Sequence, residues 1–319
     1  MSKKVLGLSF GRKMSNSDVM VKTVLMECEK AGFEVRFMRP DDMDIKKCTG
    51  CISCVVGMTA GFGKGGCPIK DDFHILDEAV LECDALVVAC PTFECSPTGS
   101  FKTVCDRFGP SHDITFRKAA YDEGLAAGKP EDKLPDVRSF KKRVGALISV
   151  GGAMTKNWLA FMLPVMYEIT MSMGIDVIDL NEYHGAMAYE HVLGNEYQMQ
   201  RTIRMGQNIV DALNAETEEE RVRFRGDEEG VCPVCHLDML TVSKDRRSVE
   251  CPVCGIAGEL QVVDGKIEVS FSEAEQQRSR LRWDGKLEHS TEIKTKAVGP
   301  GQIPDLKELK KPYLHYAEA

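Results

Sequence analysis

Asp84-Ala85-Leu86-Val87-Val88-Ala89-Cys90-Pro91-Thr92-Phe93-Glu94-Cys95-Ser96-Pro97 is the stretch that decides the fold. The apolar run behind Asp84 is the clearest strand in the chain, and Pro91 marks its end. Working outward, the same pattern recurs on both sides. Toward the N-terminus lie a strand at Val5–Phe10, a helix at Asp18–Ala31 with Val21, Val24, Leu25 and Cys28 on one face, and a strand at Glu34–Met38. A helix over Asp71–Cys83 feeds the deciding strand. Toward the C-terminus lie a helix at Gly99–Phe108, a strand at Val144–Val150 closed by Gly151-Gly152, a Met-rich helix at Asn157–Met173, a strand at Ile175–Leu180 and a helix at Glu196–Asn214. Gly109–Lys142 is polar and aperiodic, and reads as an inserted loop or lid. Five strands alternating with helices predict a doubly wound α/β domain over residues 1–215, its five-stranded parallel sheet covered on both faces. Ligands of such sheets bind beyond the carboxyl ends of the strands, where the strand order reverses. Here those segments are Ser9–Ser17, Cys90–Pro97, Gly151–Thr155 and Tyr183–Leu193.

Beyond this domain the composition changes. Residues 216–230 are charge-dense and read as a linker. Cys232-Pro233-Val234-Cys235 and Cys251-Pro252-Val253-Cys254 are two knuckles, and the β-prone segments Glu259–Val263 and Lys266–Phe271 follow them. Four thiolates in two such pairs suit tetrahedral coordination, so 231–272 reads as a zinc-ribbon or rubredoxin-like module. Zinc and iron use the same ligands, and both stay open. Residues 273–319, with Pro300, Pro304 and Pro312, read as a polar extension without a core of its own.

The chain has 319 residues, 43% of them hydrophobic, which is enough for one large core and a small module. A formal charge of −8 argues against nucleic acid as the main partner. No apolar run approaches the roughly 20 residues of a membrane helix. Met1-Ser2-Lys3-Lys4-Val5 has no signal-peptide pattern, so a cytoplasmic location is expected. Thirteen cysteines there are not a disulfide framework. Besides the knuckles, Cys48, Cys51, Cys54 and Cys67 form a second group: three thiols two residues apart, then a fourth after a glycine-rich stretch. Soft thiolates at such spacing suit a metal centre such as a four-iron, four-sulfur cluster.

Ser9–Ser17 offers hydroxyls, an amide and Arg12 at a helix N-terminus, which suits a phosphate. Ser15, Asn16 and Ser17 serve equally well as plain helix caps. There is no Gly-Lys-Ser/Thr run and no G-x-G-x-x-G, so ATP and dinucleotide fingerprints are absent. Two prolines stiffen Cys90–Pro97, a loop able to lie along a flat heteroaromatic ring.

Together these residues resemble the NADPH-dependent FMN reductases, and more closely the iron–sulfur flavoproteins, over about residues 3–213. Ser9, Arg12, Ser15, Asn16 and Ser17 match the family's phosphate loop, with one extra residue between Ser9 and Asn16. Pro91, Thr92, Phe93, Glu94, Cys95 and Ser96 match the loop that contacts the isoalloxazine, Phe101-Lys102…Asp106-Arg107 resembles the helix after it, and Gly151-Gly152 matches a second flavin-side loop. Cys67-Pro68-Ile69-Lys70-Asp71-Asp72 matches the end of the family's cysteine motif, although Val55–Gly66 is longer than usual. The resemblance implies a flavodoxin-like fold, bound FMN, a [4Fe-4S] cluster on Cys48, Cys51, Cys54 and Cys67, and a homo-oligomer. It implies an oxidoreductase that takes electrons from NAD(P)H or ferredoxin and passes them to a small molecule or redox protein. A cluster-free NAD(P)H:flavin or quinone reductase, or a non-catalytic electron-carrier subunit, are the rival expectations.

Overall fold

The structure, a computed structural model, describes residues 2–59, 65–186, 190–227, 229–297 and 303–317. Parts of the expected cysteine loop (60–64), of the loop after the fifth strand (187–189), of the linker (228) and of the C-terminal extension (298–302 and 318–319) lie outside them.

The first part of the chain runs β1 (Lys4–Ser9), α1 (Asn16–Lys30), β2 (Glu34–Met38), α2 (Ser53–Thr59), α3 (Phe73–Glu82), β3 (Ala85–Phe93), β4 (Ser96–Pro97), α4 (Gly99–His112), α5 (Ile114–Ala126), β5 (Val144–Val150), α6 (Met162–Met166), α7 (Glu168–Met171), β6 (Asp176–Tyr183) and α8 (Glu196–Asn214). Five strands pair in parallel in the order β2-β1-β3-β5-β6, and the two-residue β4 pairs antiparallel with β3. Successive side chains of a strand point to opposite faces, and β3 shows it. Leu86 and Val88 pack with Phe73, Leu76, Phe101, Phe108 and Met162 on one side. Ala85, Val87 and Ala89 pack with Val21, Val24, Met205 and Ile209 of α1 and α8 on the other. Gly7 lets α1 approach β1 closely, since a Cβ there would lie 2.4 Å from Val21 Cγ1. The chain winds from β1 outward to β2 and then from β3 outward to β6. The reversal therefore falls between β1 and β3, the flavodoxin-like arrangement expected from the sequence.

Three expectations change. β3 does not end at Pro91 but runs through it to Phe93, where it pairs with β4. Gly109–Lys142 is not an irregular lid: α4 continues to His112, and Asp113 caps α5 by accepting hydrogen bonds from the Thr115 and Phe116 amides. α5 buries Thr115, Arg117 and Gly124 beside Phe116, so its inner face carries too few apolar residues to show a helical period. The expected helix Asn157–Met173 is broken into a 3-10 turn at Lys156–Trp158 and the short α6 and α7. Pro164 has no N–H to donate back to the Ala160 carbonyl, which stops one helix from running through.

The remainder comprises α9 (Glu218–Val222), β7 (Thr241–Val242), β8 (Val249–Cys251), β9 (Ile256–Val263), β10 (Lys266–Ser270), α10 (Glu273–Gln277), α11 (Trp283–Ala297) and α12 (Leu306–Lys310). β10-β9-β8-β7 form a small antiparallel sheet. Its core is continuous with that of the large sheet: Cys232, Cys235, Cys251, Cys254 and Ile256 share one buried cluster with Met162, Met166, Tyr167 and Ile169. Tyr167 Oη donates to the Cys235 carbonyl at 2.6 Å, and Lys156 pairs with Asp238 at 2.8 Å. From the extension, Lys286 donates to the Met171 carbonyl. Among the described residues no helix is long and apolar enough to cross a membrane.

Candidate functional site

The loop after β1 is built around Asp18. Its carboxylate accepts from Ser9 Oγ at 2.6 Å, from the Met14 amide at 2.9 Å and from Arg39 at 2.7 Å. Burial alone would raise the Asp18 pKa, but these bonds outweigh it and hold the carboxyl below its usual range. Ser9 is thus turned inward as part of the scaffold. Asn16 is engaged as well: it accepts from the Val192 amide at 2.8 Å and donates to the Glu190 carbonyl at 3.2 Å, which fastens the β6–α8 loop across the start of α1. Arg12 is exposed on the loop. Ser15 Oγ and Ser17 Oγ are buried at the α1 N-terminus and have no hydrogen-bond partner. Gly11 leaves the hollow beside them open, because a Cβ would sit 2.4 Å from Ser15 Oγ and 2.9 Å from Ser17 Cβ.

After β3 the chain makes a tight hairpin. Thr92 pairs with Pro97 and Phe93 with Ser96, and both turn residues, Glu94 (φ 48°) and Cys95 (φ 63°), are left-handed. That is the backbone of a type I′ turn, which ordinarily calls for Asn-Gly. Thr92 Oγ1 donates to the Val150 carbonyl at 3.1 Å, tying the hairpin to the end of β5. The loop after β5 is fixed in turn: the Gly185 amide donates to Ala153 at 2.8 Å and the Ala186 amide to Gly151 at 2.9 Å. Between hairpin and loop lies a hollow of about 270 Å³ lined by Thr92, Glu94, Cys95, Gly152, Ala153 and Trp158. Phe93 and Trp158 are exposed at this edge. The expected flavin-side residues thus converge on one rim.

The four thiols of the first group are Cys48, Cys51, Cys54 and Cys67, none of them fully buried. The base of their loop is closed by a clasp. The Asp44 amide donates to Asp72 Oδ2 at 2.8 Å, the Asp72 amide to the Asp44 carbonyl at 2.9 Å, and the Lys46 amide to Asp71 Oδ2 at 2.9 Å. Arg107 locks it from beneath. Its guanidinium grips both Asp71 oxygens, donates to the Lys46 carbonyl at 2.8 Å and stacks on Phe73 at 4.5 Å; the Arg107 and Asp71 side chains are 1% and 0% exposed. Burial opposes the Arg107 charge, but Asp71 and then Cys67 outweigh it and raise the guanidinium pKa. Hydrogen bonds from Ser53 and Thr49 pull the exposed Cys51 thiol down to about 7. Burial raises Cys54, and the charges of Cys67 and Cys51 add to the rise.

Cys232, Cys235, Cys251 and Cys254 are different. All four are buried and their sulfurs lie within 4.8 Å of one another, with Cys232–Cys254 at 3.6 Å and Cys235–Cys251 at 3.5 Å. A tetrahedron with metal–sulfur bonds near 2.3 Å has sulfur–sulfur edges of about 3.8 Å. Among the described residues this is the group of acidic, His and Cys ligands gathered tightly enough for a single ion.

A family model described as NADPH-dependent FMN reductase matches residues 4–174, more than half of the chain. The chain belongs to this family. Its relatives include the flavone synthase cfoJ of Aspergillus candidus, 29% identical over 83% of this chain and 79% of that protein. An iron–sulfur flavoprotein of Archaeoglobus fulgidus is 33% identical over 38% of this chain and 54% of that one. Among solved structures, a flavone reductase superposes with a TM-score of 0.80 at 26% identity, covering 99% of this chain and 98% of the other.

For an FMN reductase, the phosphate loop fits its cofactor on two observations: orphaned Ser15 and Ser17 hydroxyls, and a glycine that leaves the space before them free. Sequence reasoning passed over Asp18, Arg39 and Trp158. Asp18 looks like any acid in the first turn of a helix, and Arg39 reaches it only because β2 lies beside β1. Trp158 was hidden in a segment read as continuous helix.

Proposed function

We propose that this chain binds FMN across the ends of β1, β3 and β5 and uses it to move electrons from NAD(P)H or ferredoxin to a small, flat, unsaturated acceptor. The observation that carries this reading is the full-length likeness to the flavone reductase, which extends over the four-cysteine module as well as the flavin domain. FMN when bound supplies hydride or single-electron chemistry. Ser15, Ser17 and the α1 N-terminus would hold its phosphate, and Ser9, Asp18 and Asn16 would keep that loop in shape. The Pro91–Ser96 hairpin and Gly151-Gly152 would hold the ring between them, with Trp158 and Phe93 excluding water from its exposed edge.

Cys48, Cys51, Cys54 and Cys67 are read as ligands of a [4Fe-4S] cluster, on their spacing and on the clasp that closes the base of their loop between residues 44–46 and 71–72. The buried Arg107 offsets part of the negative charge that thiolates and cluster would bring. Cys232, Cys235, Cys251 and Cys254 are read as a closed structural zinc site, with a rubredoxin-like iron the alternative ion. Residues 1–215, 216–230, 231–272 and 273–319 remain the proposed division of the chain, and a homo-oligomer the proposed assembly.

Anaerobic purification, an absorption spectrum, and iron, sulfide and zinc analysis test all three sites together. Flavin bands with a broad brown shoulder and about four irons per chain are expected. Flavin without iron or sulfide would leave a cluster-free flavin reductase. Absence of flavin after reconstitution with FMN would overturn the reading. Oxidation of the reduced protein by a flavone, followed in the stopped flow, tests the acceptor class.

A further inference from the structure

A larger cavity, about 720 Å³, lies away from the flavin rim along the seam between β6 and the first knuckle. Leu180, Glu182 and His184 wall it on the sheet side, and His236 and Leu237 on the module side. Its volume suits a compact organic ligand. His184 Nδ1 and His236 Nδ1 are both buried there without a hydrogen-bond partner. Buried polar nitrogens in folded proteins are as a rule paired, so two orphans on one cavity call for an occupant. The rings are held in place: His236 stacks on Phe224 at 3.8 Å, and His184 Nε2 lies 3.6 Å from Glu182.

Charge narrows the class of occupant. The permanent cations of the cleft are spent, Lys156 on Asp238 at 2.8 Å and Arg201 on Asp179 and, at 3.1 Å, on Asp227. Glu182 and Glu229 add further acid. Burial pushes the Glu182 carboxyl upward, and the neighbouring His184 only partly offsets this. Such a site disfavours carboxylates and the phosphates of a dinucleotide. Ala160, Leu163 and Leu237 offer apolar contact.

We propose that this cleft binds a neutral phenol, its flat body against the apolar wall and its hydroxyl on the orphaned imidazoles. It is a second site, distinct from the flavin. The Lys156–Trp158 turn is the partition: Trp158 faces the flavin hollow, and Lys156 and Asn157 face the cleft. Because the walls come from both parts of the chain, an occupant also braces one against the other.

The test is calorimetric titration of the FMN-saturated protein with phenylphenol and with the equally flat biphenyl carboxylate. Phenylphenol should bind at one site per chain and raise the thermal midpoint, and the carboxylate should bind at least about tenfold more weakly. His184→Ala, which removes one partner, and Ala160→Trp, which fills the cleft, should each weaken phenylphenol about tenfold while leaving FMN affinity unchanged. The FMN-free protein should bind the phenol with unaltered affinity. Equal binding of phenol and carboxylate, indifference to both substitutions, or binding seen only with FMN present would each overturn the proposal. FMN affinity, measured separately by fluorescence quenching, reports on the flavin reading alone.

Discussion

Arg107 holds a charge where solvent does not reach, and Asp71 is its counter-ion. Removing one member of such a pair strands the other, at a cost of about 3 kcal/mol. Arg107→Gln should therefore lower the urea midpoint sharply and, in anaerobically prepared protein, lower the iron-to-protein ratio. Arg107→Lys keeps the charge without the fork and should fall between the two. Asp71 and Asp18 titrate in the same direction. Burial opposes their ionisation, but Arg107 and Arg39 lead the hydrogen bonds that hold both carboxyls below the ordinary range. A depressed carboxyl pKa gives stability that is complete above the unfolded value of about 3.9 and is lost as pH falls through the folded value. Urea midpoints across the acid range should stay level above that point and drop below it, and Asp18→Asn should reduce the slope. At this scale the sequence revealed which residue types matter and not how each is used. Ser9, Ser15, Asn16 and Ser17 look alike as a polar run, yet Ser9 and Asn16 are bonded into the scaffold while the Ser15 and Ser17 hydroxyls are buried without a partner.

The hairpin that joins β3 to β4 sets the rim of the proposed flavin site with two residues unsuited to its backbone. A left-handed residue with a Cβ costs about 1 kcal/mol relative to glycine. Cys95→Gly should accordingly stabilise the protein by about that amount in urea unfolding. If the thiol takes no part in the chemistry, turnover of the variant is unchanged. Gly11→Ala acts oppositely, since its Cβ occupies the hollow in front of Ser15 and Ser17. FMN affinity, read by fluorescence titration, should fall at least about tenfold while the fold persists. Elements with a continuous apolar period, such as β3, β5 and α8, were legible from sequence alone. α5 was not, because its inner face carries Thr115, Arg117 and Gly124. The stretch from Lys156 to Met171 was not either, because methionine density hides the break before Pro164.

Over the whole molecule, the decisive feature is the single core shared by the sheet and the four-cysteine module. The two knuckles were plain in the sequence, but their attachment to α6 and α7 was not, since Tyr167 and Met166 read only as parts of an apolar stretch. Chelator treatment that removes the ion proposed for the four cysteines, or replacing Cys232 with serine, should unfold both parts in one transition, with flavin fluorescence and circular dichroism moving together. Separate transitions would mean that the module is independent. Tyr167→Phe removes one buried hydrogen bond, so it should cost about 1 kcal/mol and speed release of the ion to a chromogenic chelator.

The pinning of residues 44–46 to 70–72 has a practical outcome. One main-chain bond, the Asp71 and Asp72 carboxylates and one arginine hold the two ends of that excursion together, whatever is threaded between them. The span from Cys54 to Cys67 is therefore a natural splice point, where natural insertions and deletions, or a reporter peptide placed by an engineer, can accumulate without loosening the anchorage at either end.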